Sequence, residues 1–154
     1  MRGLTAMRQW LPAIVASLAL ACGGGGSGDG PPATCDTMGD STWVGTENVT
    51  TTSGSCSSFT GLSLTFTIKQ AAGSCNFTLV SSRVTGITFD GTISGDGLTW
   101  THAPYAYDFG TLTLNSTAGT LSTDQQTLTG SFTWTLAFSS SQCKGTTTFN
   151  LVKQ

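Results

Sequence analysis

The sequence predicts an all-β fold: a single antiparallel up-and-down β-barrel of about eight strands, placed after a signal peptide and a disordered glycine-rich tether. Three observations predict it. Apolar residues alternate with Thr and Ser at a period of two through most of the chain beyond Cys35, the pattern of strands with one buried and one wet face. Clusters of Gly, Ala, Ser, Asp and Gln interrupt the alternation at short, even intervals, as turns do. No stretch beyond Cys22 carries a helical period. Short strands joined by short turns suit a sandwich or a barrel, and closure is favoured because a barrel leaves no unpaired edge.

The chain opens with Arg2 and Arg8, then an apolar run over residues 10–20 broken by Pro12 and Ser17, then Ala19-Leu20-Ala21. A basic start, a short apolar core and small residues at its end make residues 1–21 a secretory signal peptide. The run is too short for a membrane span, which takes ~20 apolar residues. Cys22 follows at once, and this junction resembles the lipobox of bacterial lipoproteins. The resemblance implies that Cys22 becomes the first mature residue, carries acyl chains and anchors the protein in a bacterial cell envelope. Gly23, rather than Asp, after the cysteine implies the outer membrane. Ala19 stands where that family usually has Leu, so plain secretion is the alternative. The cysteine count agrees with lipidation. Of Cys22, Cys35, Cys56, Cys75 and Cys143, acylating the first leaves an even set able to pair in an oxidising compartment. Two or more acyl chains hold a protein firmly where one would not.

Residues 22–34 make the lipidated cysteine and a Gly/Ser/Pro tether. Such a composition cannot bury enough apolar area to offset chain entropy, so the tether is expected to be disordered, with a maximum reach of ~40 Å.

Residues 35–154 are left for the barrel domain. Strands are expected near 41–50, 60–69, 75–81, 85–93, 97–103, 109–116, 126–138 and 145–152. The clearest are Leu62, Leu64, Phe66 and Ile68 between Ser63, Thr65, Thr67 and Lys69, and Leu128, Phe132, Trp134, Leu136 and Phe138 on one face of a later run. Thr suits the wet face because its β-branch favours extended backbone. Turns are expected at Ala71-Ala72-Gly73-Ser74, Ser94-Gly95-Asp96-Gly97, Thr117-Ala118-Gly119 and Ser122-Thr123-Asp124-Gln125. The pattern is similar to the calycin-like barrels (lipocalins and avidins): Trp43 close to Gly45 in the first strand, a meander, and a last hairpin with Cys143-Lys144-Gly145 before Phe149. The resemblance implies the barrel. The avidin ligand-contact set is not present, so no family binding residue carries over.

Successive connections of a meander lie at alternate ends. Cys56 falls in the first connection and Cys143 in the seventh, at one end; Cys35 precedes the first strand and Cys75 lies in the second connection, at the other. The expected disulfides are therefore Cys56–Cys143 and Cys35–Cys75 among the pairings that four cysteines allow. Wide spacing without a C-x-x-C pair argues against a zinc site, and no metal is expected.

Cleavage after residue 21 takes Arg2 and Arg8 away, reducing six basic side chains to four against eight acidic ones, a net charge near −4. Without a Lys/Arg cluster the chain lacks the means to neutralise phosphate, so nucleic acid is disfavoured and not expected as a partner. A polybasic membrane contact is disfavoured likewise. There is no G-x-S-x-G, no H-E-x-x-H and no second His, so neither enzymatic activity nor a cofactor is expected.

The segment over residues 100–108 holds the chain's only His and both Tyr. By parity His102 shares the inward face of Leu98 and Trp100, and Glu47 that of Trp43 and Val49, unless Gly45 marks a bulge that shifts the phase. Glu47, Trp100, His102 and Trp134 are the candidate ligand-binding residues: a small polar site in an apolar lumen. The alternative puts His102 on the rim and the tyrosines at the mouth with wet hydroxyls. Two functions follow. One is a lipid-anchored barrel holding a small apolar ligand; the other is a structural or protein-interaction lipoprotein whose lumen is filled solid by Phe66, Phe77, Phe89, Trp100, Phe132 and Trp134. A lumenal cavity above ~300 Å³ separates the two.

Overall fold

The computed structural model describes residues 35–154; the predicted signal peptide, Cys22 and the tether lie outside the described residues. The Thr-rich alternation forms β1 (Ser41–Ser53), β2 (Phe59–Lys69), β3 (Asn76–Ser81), β4 (Phe89–Ser94), β5 (Gly97–Thr101), β6 (Tyr105–Tyr107), β7 (Gly110–Leu121), β8 (Thr127–Ala137) and β9 (Gln142–Lys153), with no helix among the described residues. Neighbours follow the order β5-β4-β3-β2-β1-β9-β8-β7-β6, and β5 pairs with β7 to close the ring. The closing register sets Gly97 against Thr120 and Leu98 against Gly119. The result is an eight-stranded antiparallel barrel, with the three-residue β6 lying on β7 at one rim.

Two expected boundaries move by four residues or more. Residues 82–88 connect β3 to β4, so the fourth strand starts at Phe89 rather than near 85. Thr117-Ala118-Gly119 is not a turn: it lies inside β7, paired with Phe132, Ser131 and Gly130 of β8. The cause is a bulge. The β7–β8 register shifts between Leu114 and Ser116, and an extra residue in one strand exchanges its two faces. Leu112 and Leu114 face inward before it; Gly119 and Leu121 are buried after it. The inward phase therefore breaks where the strand continues. Gly119 is buried at the closing seam, where a Cβ would lie in ordinary contact with the Trp100 ring at 3.4 Å and the Leu98 Cβ at 3.5 Å.

A second bulge falls on β2, between the pairs Glu47–Leu62 and Val49–Phe59. Gly61 there has φ +66, a conformation natural to glycine, and its N–H donates to Asn48 Oδ1 at 2.9 Å. The bulge turns Phe59 toward the lumen and leaves the phase of β1 untouched, so Glu47 stays inward. Gly45 marks a close approach instead: a Cβ there would stand 2.9 Å from Leu151 Cα.

The two ends differ. One is packed solid: Trp43, Ile68, Leu79, Leu98, Leu121, Leu128 and Leu151 are all buried, each such side chain stabilising by about 1.5–3 kcal/mol. The segment before β1 crosses this end. Gln70 holds it, accepting from the Met38 N–H at 2.6 Å and donating to the carbonyls of Ser74 (2.6 Å) and Asp36 (3.3 Å). Lys153 Nζ donates to the Met38 carbonyl at 3.1 Å and lies 5.6 Å from the Trp43 ring. The disulfide Cys35–Cys75 closes the same end, and Cys56–Cys143 joins the first connection to β9 at the other, as the alternation of connections requires.

Candidate functional site

Above the packed layer the barrel is hollow. A cavity of about 540 Å³ occupies the half nearer the connections after β1, β3 and β8. Phe66 of β2, Phe89 of β4, Trp100 of β5, Leu112 of β7 and Phe132 and Trp134 of β8 form its wall. These are the residues that the period-two phase sends inward. Trp100 meets Phe66, Phe149 and Phe132 at ring-centroid distances of 6.2, 5.9 and 6.3 Å, which suits the quadrupoles of aromatic rings.

The hollow has a local cause in glycine. Trp134 lies directly across from Gly145, Phe149 across from Gly130, and Phe77 across from Gly91. In each pair the ring covers the place where a Cβ would be. An aromatic that rests on a neighbouring glycine leans along the wall instead of into the lumen. Phe77, expected in the lumen's aromatic lining, is seated in this way over Gly91 and is buried near the packed end.

One charged pair stands inside. Glu47 is 3 % exposed, and Arg83 Nε donates to its Oε1 at 2.8 Å. Glu47 is fixed on β1. Arg83 comes from the connection between β3 and β4, and its side chain is 41 % exposed. Burial pushes the Glu47 carboxyl above its ordinary value, and the charge and hydrogen bond of Arg83 pull it part of the way back. Ser81 and Thr147 add hydroxyl groups to the same wall. At the rim, burial first and the neighbouring Tyr107 second push the Tyr105 phenol up to about 12. Ser57, Tyr107, Asp108, Phe138 and the half-exposed Phe59 complete the mouth.

Three of the four candidate residues, Glu47, Trp100 and Trp134, share the cavity wall. His102 does not. It lies just past the end of β5, half-buried on the rim, with its ring edge-on to Phe89 at 5.6 Å and Tyr105 at 5.4 Å and Nδ1 against the Ala103 carbonyl. The expected carboxylate–imidazole site is therefore a carboxylate–guanidinium site. Periodicity could not find Arg83, because it lies in a connection. Its one sequence signal is rarity: Glu47 is the only Glu, and Arg83 the only Arg, among the described residues.

No family model and no curated protein matches the chain. Fold and site together define a class: a closed, eight-stranded, antiparallel barrel of calycin-like form, stapled by two disulfides, packed at one end and hollow at the other.

Proposed function

We propose that the protein is a bacterial cell-envelope lipoprotein, tethered through acylated Cys22 at the outer membrane, whose barrel carries a small apolar ligand and catalyses no reaction. The observation that carries this reading is the cavity of about 540 Å³. An eight-stranded barrel is just narrow enough for side chains to fill, so a purely structural barrel has no need of the open half. Aromatic walls around a few polar groups are the usual make-up of a small-molecule site. The chain reaches the barrel through Cys35, at the packed end.

The reading is tested on the full chain carrying Cys22→Ser, which needs no detergent. Titration with the neutral dye N-phenyl-1-naphthylamine, followed by energy transfer from tryptophan, is expected to saturate at one dye per chain. Leu112→Trp, which adds bulk to the cavity wall and narrows the lumen, is expected to weaken binding severalfold. Binding that does not saturate, or that is unaffected by the narrowed lumen, contradicts the reading. The anchor is tested separately by detergent phase partition: wild type enters the detergent phase and Cys22→Ser stays in water. Equal partition of the two returns the protein to plain secretion.

A further inference from the structure

We propose that the lumen selects apolar ligands that carry one cationic group, an organic amine being the simplest, and that this cation takes the place of Arg83 on Glu47. The inference rests on the reading of the lumen as a ligand site and narrows its ligand class.

The two members of the ion pair are not equivalent. Glu47 is held on a strand with its side chain 4 % exposed, while the Arg83 side chain is 41 % exposed and reaches in from a connection. Arg83 can swing into water, where a guanidinium is already well accommodated, with little loss beyond the contact itself. Glu47 has no such exit. A buried carboxylate that loses its partner is left as an uncompensated charge, which is strongly destabilising. Exchange of partners is therefore one-sided. A ligand ammonium can displace Arg83 and leave every buried charge paired. A ligand carboxylate that captured Arg83 would strand Glu47.

The wall agrees with this asymmetry. Trp100, Trp134 and Tyr105 line the same cavity as Glu47, and aromatic faces attract organic cations, most strongly where water is excluded. Asp108 adds a second carboxylate at the mouth. Arg83 thus holds the cation's place in the empty lumen and keeps the carboxylate satisfied until a ligand arrives.

Three probes of one size separate the possibilities: 4-phenylbutylamine, 4-phenylbutan-1-ol and 4-phenylbutanoate, titrated calorimetrically at neutral pH into the full chain carrying Cys22→Ser. The amine is expected to bind about tenfold more tightly than the alcohol, a difference typical of one charge-assisted contact, and the acid most weakly. Glu47→Gln is expected to bring amine and alcohol to equal affinity. Arg83→Ala, which keeps the carboxylate and removes its competitor, is expected to tighten the amine severalfold more than the alcohol, and an equal effect on both overturns the exchange; it serves as the independent arm should Glu47→Gln fold poorly. An alcohol that binds as well as the amine, or an acid that binds best, overturns the cation preference while the lumen remains a ligand site. Failure of all three probes to bind overturns both.

Discussion

Glu47 and Arg83 meet at 2.8 Å inside the barrel, one fixed and buried on β1, the other reaching down from a half-exposed connection. Burial dominates the carboxyl's environment and raises its pKa; Arg83 opposes but does not cancel it. The folded protein therefore holds the Glu47 proton at pH values where the unfolded chain has released it. Stability from this group is greatest below the ordinary value of 4.5 and declines as pH rises through the raised folded value. Thermal denaturation as a function of pH, wild type against Glu47→Gln, isolates the contribution: the difference between them is expected to grow in the variant's favour as pH rises through that window.

Arg83→Ala tests the same pair from the other side. Removing the guanidinium leaves a buried acceptor without its donor, which costs about 1–3 kcal/mol. The loss is expected at neutral pH and shrinks on acidification, once Glu47 takes up a proton. Urea unfolding at two pH values reads both parts.

Tyr105 predicts alkaline behaviour. Its phenol is pushed up to about 12 by burial under the mouth. The unfolded chain ionises this group near its ordinary value of 10.0, so folding stability falls between there and about 12. A near-ultraviolet titration is expected to show a tyrosine step at about 12 that disappears in Tyr105→Phe.

Gly145 keeps Trp134 against the wall. An added Cβ would collide with the Trp134 ring and stand 2.6 Å from the Thr50 carbonyl oxygen on the neighbouring strand. Gly145→Ala is expected to destabilise by about 1–3 kcal/mol, the usual cost of overpacking, and to push the indole into the lumen. Chemical denaturation measures the first effect, and weakened N-phenyl-1-naphthylamine binding the second.

Cys56–Cys143 spans 87 residues of sequence and ties the mouth's first connection to β9. Replacing both cysteines by Ser is expected to cost about 4–5 kcal/mol by release of chain entropy in the unfolded state. Equilibrium unfolding of the double variant checks it. Non-reducing peptide mapping of the wild type is expected to link Cys56 to Cys143 and Cys35 to Cys75.

Much of this architecture is legible in the sequence because strand phase and meander direction are simple alternations. Leu64, Phe66 and Ile68 point inward as their spacing requires, and the disulfide pairing follows from which end each connection occupies. What escapes is whatever breaks the alternation. The bulge after Leu114 hides the second half of β7, and the one at Gly61 turns Phe59 into the mouth. The candidate site divides the same way. Glu47, Trp100 and Trp134 lie on strands and are found by parity, whereas His102 lies past a strand end and Arg83 in a connection, where side-chain direction is set by tertiary contacts.

The hollow half of the barrel is the claim on which the account rests, and native mass spectrometry of the protein released gently from its own membrane tests it most directly. The predicted result is the chain with its covalent acyl groups plus one non-covalently held small molecule, shed intact on collisional activation and held at lower occupancy by Leu112→Trp. A wild-type spectrum with only the bare acylated chain, unchanged by incubation with membrane extract, would contradict it.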